Sequence, residues 1–225
     1  DVYDALISPP QISQTPAGKL SHLESLLDRI RRHIPIGIFT TRDLSFILPR
    51  TKFAHAWCAV AGLEMKIGSH LFLSYGIGDV STFLNQSLRY AKRHLRDGVI
   101  IEERHDYSGQ TVAFSVDWQG IKDEKVARTV SSRIAAYCKS LPLQVIEYPA
   151  RQYLDVFPFS IDTGKTLKEL KNHLGLSNGI LFLGSSWIDN AAFREADISI
   201  GISNGEPFNL DCEYWIKFDE VLQFL

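Results

Sequence analysis

A chain of 225 residues is long enough for one domain with a sizeable insert and for a substantial buried core. Apolar residues make up 45% and charged residues 22%, an ordinary balance for a globular protein, and a formal net charge of -2 argues against the concentrated basic face that nucleic acids require. No apolar run approaches the ~20 residues that cross a bilayer, and the widely spaced Cys58, Cys138 and Cys212 form neither a disulfide framework nor a zinc motif, which points to a reducing, cytoplasmic setting.

In chain order, Asp1 to Pro10 reads as the end of a strand running into a loop closed by two prolines. Leu20, Leu23, Leu26, Leu27 and Ile30 then recur at helical spacing, with Arg29, Arg31 and Arg32 near the helix end. Ile34, Ile36 and Ile38 alternate as in a strand and lead to Phe39-Thr40-Thr41-Arg42-Asp43. A helix carrying Leu44, Ile47 and Leu48 stops at Pro49, and Ala56 to Met65 is a further apolar segment containing Gly62. Phe83, Leu84, Leu88, Ala91 and Leu95 mark a helix ending before Gly98.

The pattern changes after Gly98. Val99 to Glu103 and Thr111 to Trp118 read as strands, Asp123 to Lys139 as a helix, and Leu143 to Tyr148 and Tyr153 to Val156 as two more strands. This block has the makings of a small α+β layer of its own. Strand and helix alternation resumes at Lys165, whose helix carries Leu167, Leu170 and Leu174 and ends at Gly175. Ile180 to Leu183 is then a short buried strand broken by Gly184. Ser185 and Ser186 are candidate caps, Asp189 to Glu195 a helix, and Asp197 to Ile202 another strand. The expected architecture is α/β, a parallel-sheet core over 1–80 and 160–225 with an α+β cap inserted at 81–159. In such a sheet Ser185, Ser186 and Asp189 fall at the carboxyl ends of strands, where open α/β folds place their ligands.

Four stretches, in this order, resemble the four motifs of the haloacid dehalogenase-like hydrolases: Asp1-Val-Tyr-Asp-Ala-Leu, Thr40-Thr41-Arg42, Lys165, and Gly184-Ser-Ser-Trp-Ile-Asp189. The similarity is greatest to trehalose-6-phosphate phosphatases and related sugar phosphatases, which carry a cap between the second and third motifs. Gly62-Leu-Glu64 and Ile161-Asp-Thr-Gly-Lys165 resemble further segments of those enzymes. The resemblance implies a Rossmann-like three-layer core and an aspartyl-phosphate mechanism. Asp1 would be the nucleophile, Thr40 the hydroxyl donor, Lys165 the cation and Asp189 an acidic residue of the metal site. Asp1 and Asp189 would hold Mg2+ if the protein is active. Thr41, Arg42, Gly62, Glu64, Ser185 and Ser186 would line the site of a small sugar phosphate or similar ligand.

The departures from that pattern carry as much information. Tyr3 stands at the general-acid position, and a phenol with a reference pKa of about 10 is a poor proton shuttle near neutrality. Ser185 stands where the family places a metal-binding aspartate, and a hydroxyl brings no charge to a hard dication. Asp4 and Ala5 replace Gly-Thr. Val60 and Ala61 replace Asn-His, and Ser115 and Asp117 fall where a trehalose-phosphatase cap tends to carry His and Arg. A shifted register would align Asp4 with the general acid and Val2 with the nucleophile. These changes imply a degenerate magnesium site and a protein that is weak or inactive as a phosphatase, serving as a ligand-binding or regulatory subunit. A working Mg2+-dependent phosphatase is the alternative.

Tyr3 and the Ser185-Ser186 pair also look like the metal-independent dehalogenases, but their cap lies between the first two motifs, where this chain has no room for one. A partner or a longer polypeptide supplying an apolar first strand is a further expectation. Singly, each residue has an ordinary role open to it: Lys165 at a helix start, Asp189 as a helix cap, Thr40 at a strand end, Arg42 and Asp43 on a solvated turn. The four tryptophans suit packing better than ligand platforms, and the seven histidines show no metal-ligand spacing.

Overall fold

A computed structural model describes residues 17–74, 77–96, 98–148, 152–177, 179–203 and 209–225. The first motif, with Asp1, Tyr3 and Asp4, lies outside the described residues. Two compact units emerge. One takes the chain up to Thr41, then Phe46–Phe72 and Asp162–Leu225; the other takes Arg42–Ser45 and Leu73–Ile161. Among the described residues no helix is long and apolar enough to cross a membrane.

The first unit is α/β. Helix α1 (Ala17–Ile30) turns Leu23 and Leu27 inward and leads into strand β1 (Gly37–Phe39). After the short helix α2 (Leu44–Ile47) come β2 (Ala56–Ala59), β3 (Glu64–Ile67) and β4 (His70–Leu73), forming a sheet of order β1-β2-β3-β4. The β1–β2 pair is parallel, as the α/β pattern anticipates, but β2 pairs antiparallel with β3. The apolar run 56–65 reads as one segment because both strands lie on the buried side of the same turn at Val60–Gly62.

Helix α5 (Thr163–Leu174) starts on an Asp162 cap, whose carboxylate accepts the Lys165 N–H at 3.0 Å, and ends at Gly175 in the left-handed region. It buries Leu167 with Phe182 and Phe193 on one side and Leu170 with Ala56, Cys58 and Met65 on the other. A three-stranded parallel sheet follows, of order β11-β10-β9, built from β9 (Leu181–Gly184), β10 (Ile198–Ser203) and β11 (Tyr214–Lys217). Helix α6 (Asn190–Glu195) joins β9 to β10, and α7 (Val221–Phe224) seals Ile202 with Val221.

The second unit carries helix α3 (Ile77–Arg93), strands β5 (Ile100–His105) and β6 (Thr111–Asp117), helix α4 (Glu124–Lys139), and strands β7 (Gln144–Tyr148) and β8 (Tyr153–Phe157). All its pairings are antiparallel, in the order β5-β6-β8-β7. The two helices cover one face: Leu84, Leu88, Ile134 and Cys138 pack on Phe114, Val116, Leu154 and Val156. With period two along each strand, Arg104, Ser115, Asp155 and Tyr148 fall on the opposite face.

Candidate functional site

The carboxyl ends of β1, β2 and β9 are tied together by four contacts. Thr40, directly after β1 and buried, donates its N–H to the Cys58 carbonyl at 3.0 Å and accepts from the Ala61 N–H at 2.8 Å. The turn it meets is strained: Val60 (φ 46°) and Ala61 (φ 56°) both sit at positive φ, and for a β-branched residue that is a real outlier. Such strain costs ~1–3 kcal/mol per residue and gathers at functional sites. Gly62 (φ 94°) continues the turn against Thr166 of α5 so closely that a Cβ there would overlap the threonine side chain. At the start of α5, Thr163 donates its hydroxyl to the Ile188 carbonyl at 2.8 Å, joining the helix to the turn after β9.

That turn is organised by Asp189. Its Oδ2 accepts the N–H groups of Ser185 and Ser186, each at 3.0 Å, and the side chain is 5% exposed. Ser186 reciprocates, its hydroxyl accepting from the Ile188 N–H, so the pair forms a capping box. Gly184 is required beneath it, because a Cβ would lie 2.7 Å from Asp189 Oδ2. Of the two candidate caps, only Ser186 acts as one. Ser185 is 1% exposed and among the described residues its hydroxyl has no hydrogen-bond partner, an uncommon state for a buried polar atom.

The remaining candidates divide. Glu64 is buried at the start of β3, and Thr41 is half-buried beside Thr40. Lys165 is held by its backbone at the helix start, but its side chain is 74% exposed and its ammonium lies 3.9 Å from Glu169, one turn on. Arg42 pairs with Glu102 of β5, and Asp43 accepts the His105 N–H at 3.3 Å, so both belong with the second unit. The sequence reading missed Asp162, Thr163 and Thr166, whose caps and close contacts position the site. Thr-Gly-Lys-Thr after an aspartate was the available signal. Burial, with Glu169 nearby, pushes the Cys58 thiol far above its ordinary range, which disfavours the thiolate that nucleophilic chemistry needs.

The described donors at the β9 turn offer a divalent cation a single carboxylate. Among the described residues no three His, Cys, Asp or Glu side chains gather as metal ligands. The one carboxylate at the β9 turn already serves two backbone N–H groups, and its neighbour Ser185 is neutral. Hard dications such as magnesium favour anionic oxygen ligands.

The second unit holds a buried polar cluster of its own. Arg104 (4% exposed) donates to Asp155 (1%) at 2.8 Å and to Ser115, while Ser115 and Tyr148 also donate to Asp155. Burial opposes the Arg104 charge, but Asp155 outweighs it and the guanidinium pKa is raised. Burial, reinforced by Asp155, pushes the Tyr148 phenol well up. The charge in the apolar strand Tyr-Leu-Asp-Val-Phe was the sequence signal for this cluster.

No family model matches the sequence, and no curated protein matches it either. Solved structures do. The crystal structure of a trehalose-6-phosphate phosphatase related protein superposes with a TM-score of 0.66 at 17% identity, covering 97% of this chain and 90% of that one. A haloacid dehalogenase-like hydrolase from Bacteroides thetaiotaomicron gives 0.65 at 14% identity, with 93% of each chain covered. The sucrose-phosphatase from Synechocystis sp. PCC6803, solved with sucrose and phosphate, gives 0.54 at 17%, covering 84% and 77%. The chain therefore has the haloacid dehalogenase-like α/β fold with a cap, the architecture its motifs resemble.

Proposed function

We propose that this protein is a sugar-phosphatase-like scaffold that binds a small phosphorylated or hydroxylated ligand at the carboxyl ends of β1 and β9 and hydrolyses it weakly or not at all. The observation that carries this reading is the commitment of Asp189 to the backbone of Ser185 and Ser186, with a neutral buried hydroxyl at Ser185 beside it. A carboxylate spent on a turn is a poor tether for magnesium, and magnesium is what lets a carboxylate nucleophile approach a phosphate dianion.

Thr40 and the buried Ser185 hydroxyl are suited to hydrogen-bonding a ligand oxygen. The structural relatives named for trehalose-6-phosphate and sucrose phosphate support a sugar phosphate as the ligand class. The test is magnesium-dependent phosphate release across a sugar-phosphate panel, run beside calorimetric binding of the same compounds. We expect micromolar-to-millimolar binding with turnover no faster than an Asp1→Asn control. Magnesium-dependent turnover lost in Asp1→Asn would establish the working phosphatase instead.

A further inference from the structure

The sequence assigns the tryptophans to packing, and three of the four have a neighbour that fits this. The Trp57 indole N–H donates to the Thr51 hydroxyl at 2.8 Å, and Trp118 packs against the core of the second unit. The Trp215 ring lies 3.4 Å from where a Cβ on Gly201 would stand. Trp187 is different. It is 43% exposed and joins none of the buried clusters, and among the described residues neither its ring nor its indole N–H has a partner. An indole left in water forgoes one of the largest apolar burials a side chain offers. Other exposed rings lie away from the candidate site by chain position: Tyr107 follows β5, Tyr214 belongs to β11 and Phe224 to α7. Trp187 stands between Ser185 and Asp189.

Its backbone is fixed although its ring is not. The capping box of Ser186 and Asp189 closes around it, and the Asn190 N–H donates to the Trp187 carbonyl. The next carbonyl, that of Ile188, accepts the Thr163 hydroxyl at 2.8 Å. Gly164 brings α5 so near that a Cβ there would lie 2.6 Å from the Ala191 carbonyl oxygen. A ring on a locked turn has only two side-chain torsions to lose on binding, so contact with it is cheap in entropy. Ser185, whose buried hydroxyl has no partner among the described residues, is two positions away, a Cα separation of at most ~7 Å. One small ligand can span both.

We propose that Trp187 is the platform for a sugar ring at this site, the C–H face of the ring lying on the indole while a ring hydroxyl bonds to Ser185. The inference rests on the ligand-binding reading above and narrows it to cyclic sugars. An open-chain polyol phosphate has no flat apolar face to offer, and inorganic phosphate has none at all. Binding sites of this kind combine a flat apolar wall with a few placed polar groups.

Calorimetry of the wild type, Trp187→Phe and Trp187→Ala against trehalose-6-phosphate, sorbitol 6-phosphate and inorganic phosphate tests it. Trp187→Ala is expected to weaken trehalose-6-phosphate about 10-fold, equivalent to about 1.4 kcal/mol, and Trp187→Phe no more than about 3-fold. The other two probes should bind all three proteins alike, and the urea midpoints should agree because the ring is unpacked. In the wild type, the indole N–H resonance missing from the Trp187→Phe spectrum should shift with trehalose-6-phosphate and stay still with inorganic phosphate. Undiminished sugar-phosphate binding in Trp187→Ala, an equal loss for every probe, or a static indole resonance in a saturated wild type would each overturn the platform and leave the binding reading standing. No binding of any probe by the wild type would overturn both.

Discussion

Replacing Asp189 separates a structural carboxylate from a metal-binding one. In Asp189→Ala two N–H groups lose their acceptor, that of buried Ser185 and that of half-buried Ser186, both now bonded at 3.0 Å. An unsatisfied buried donor costs ~1–3 kcal/mol, and a lost N-terminal cap ~0.5–2 kcal/mol. The two costs overlap, so a destabilisation of about 2–4 kcal/mol is expected. Asp189→Asn keeps an oxygen in the same place and caps nearly as well, losing only charge assistance, so it should cost about 1 kcal/mol. Urea unfolding of the three proteins, with and without millimolar magnesium, reads both effects. Magnesium is expected to leave the wild-type midpoint unmoved, because a ligand that binds the native state would raise it by mass action. Equal losses in the Ala and Asn variants, or a magnesium-dependent gain present only in the wild type, would refute the assignment of Asp189 to the turn.

Two further outcomes follow from the second unit. Arg104→Met alone leaves Asp155 buried without its counter-charge and should cost about 3–5 kcal/mol, whereas Arg104→Met with Asp155→Leu should recover at least half of that in the same unfolding measurement. Glu103 is held below its ordinary carboxylate range by the hydrogen bond from Lys92, so its contribution is present above the unfolded value of about 4.3 and is lost as pH falls through the lower folded one. Glu103→Gln should therefore lose less stability than the wild type between pH 5 and 3, by under about 1 kcal/mol because the pair is partly exposed.

Much of the architecture was legible because it is written in periodicity. The spacing of Leu84, Leu88 and Ala91 and the alternation of Val112, Phe114 and Val116 mark buried faces, and these are the residues that form the core of the second unit. The β3–β4 hairpin was not legible: Glu64 to Leu73 is short, and its edge strand β4 alternates weakly, with burial running from exposed to half-buried. Val60 was opaque for a different reason. A valine predicts extended backbone, and here the tertiary contacts of Thr40 and Thr166 hold it at positive φ against that preference. Side-chain direction was the other blind spot. Motif position says nothing of where a long side chain extends: the Lys165 ammonium lies along its own helix near Glu169, and Arg42 pairs with Glu102 within the second unit.

The candidate site residues sort by whether they have a second duty. Thr40 bonds strand β2 and the turn after it through its backbone, Asp189 caps the turn after β9, and Gly62 and Gly184 fit where a Cβ has no space. Each of these matches the phosphatase pattern, and each would be costly to change whether or not the protein turns over a substrate. Two other candidates have no such side-chain anchor: among the described residues the Ser185 hydroxyl has no hydrogen-bond partner, and the Lys165 side chain is exposed. A fold under selection for shape alone keeps the first group and is indifferent to the second, because loss of charge at an unanchored position leaves packing intact. A fold under selection for phosphoryl transfer needs both, since electrostatic stabilisation of the reacting phosphate is the largest part of that chemistry. The packing duties kept among the described residues are those the proposed binding scaffold requires, and magnesium-dependent turnover is the measurement that decides whether the charge-bearing positions serve as well.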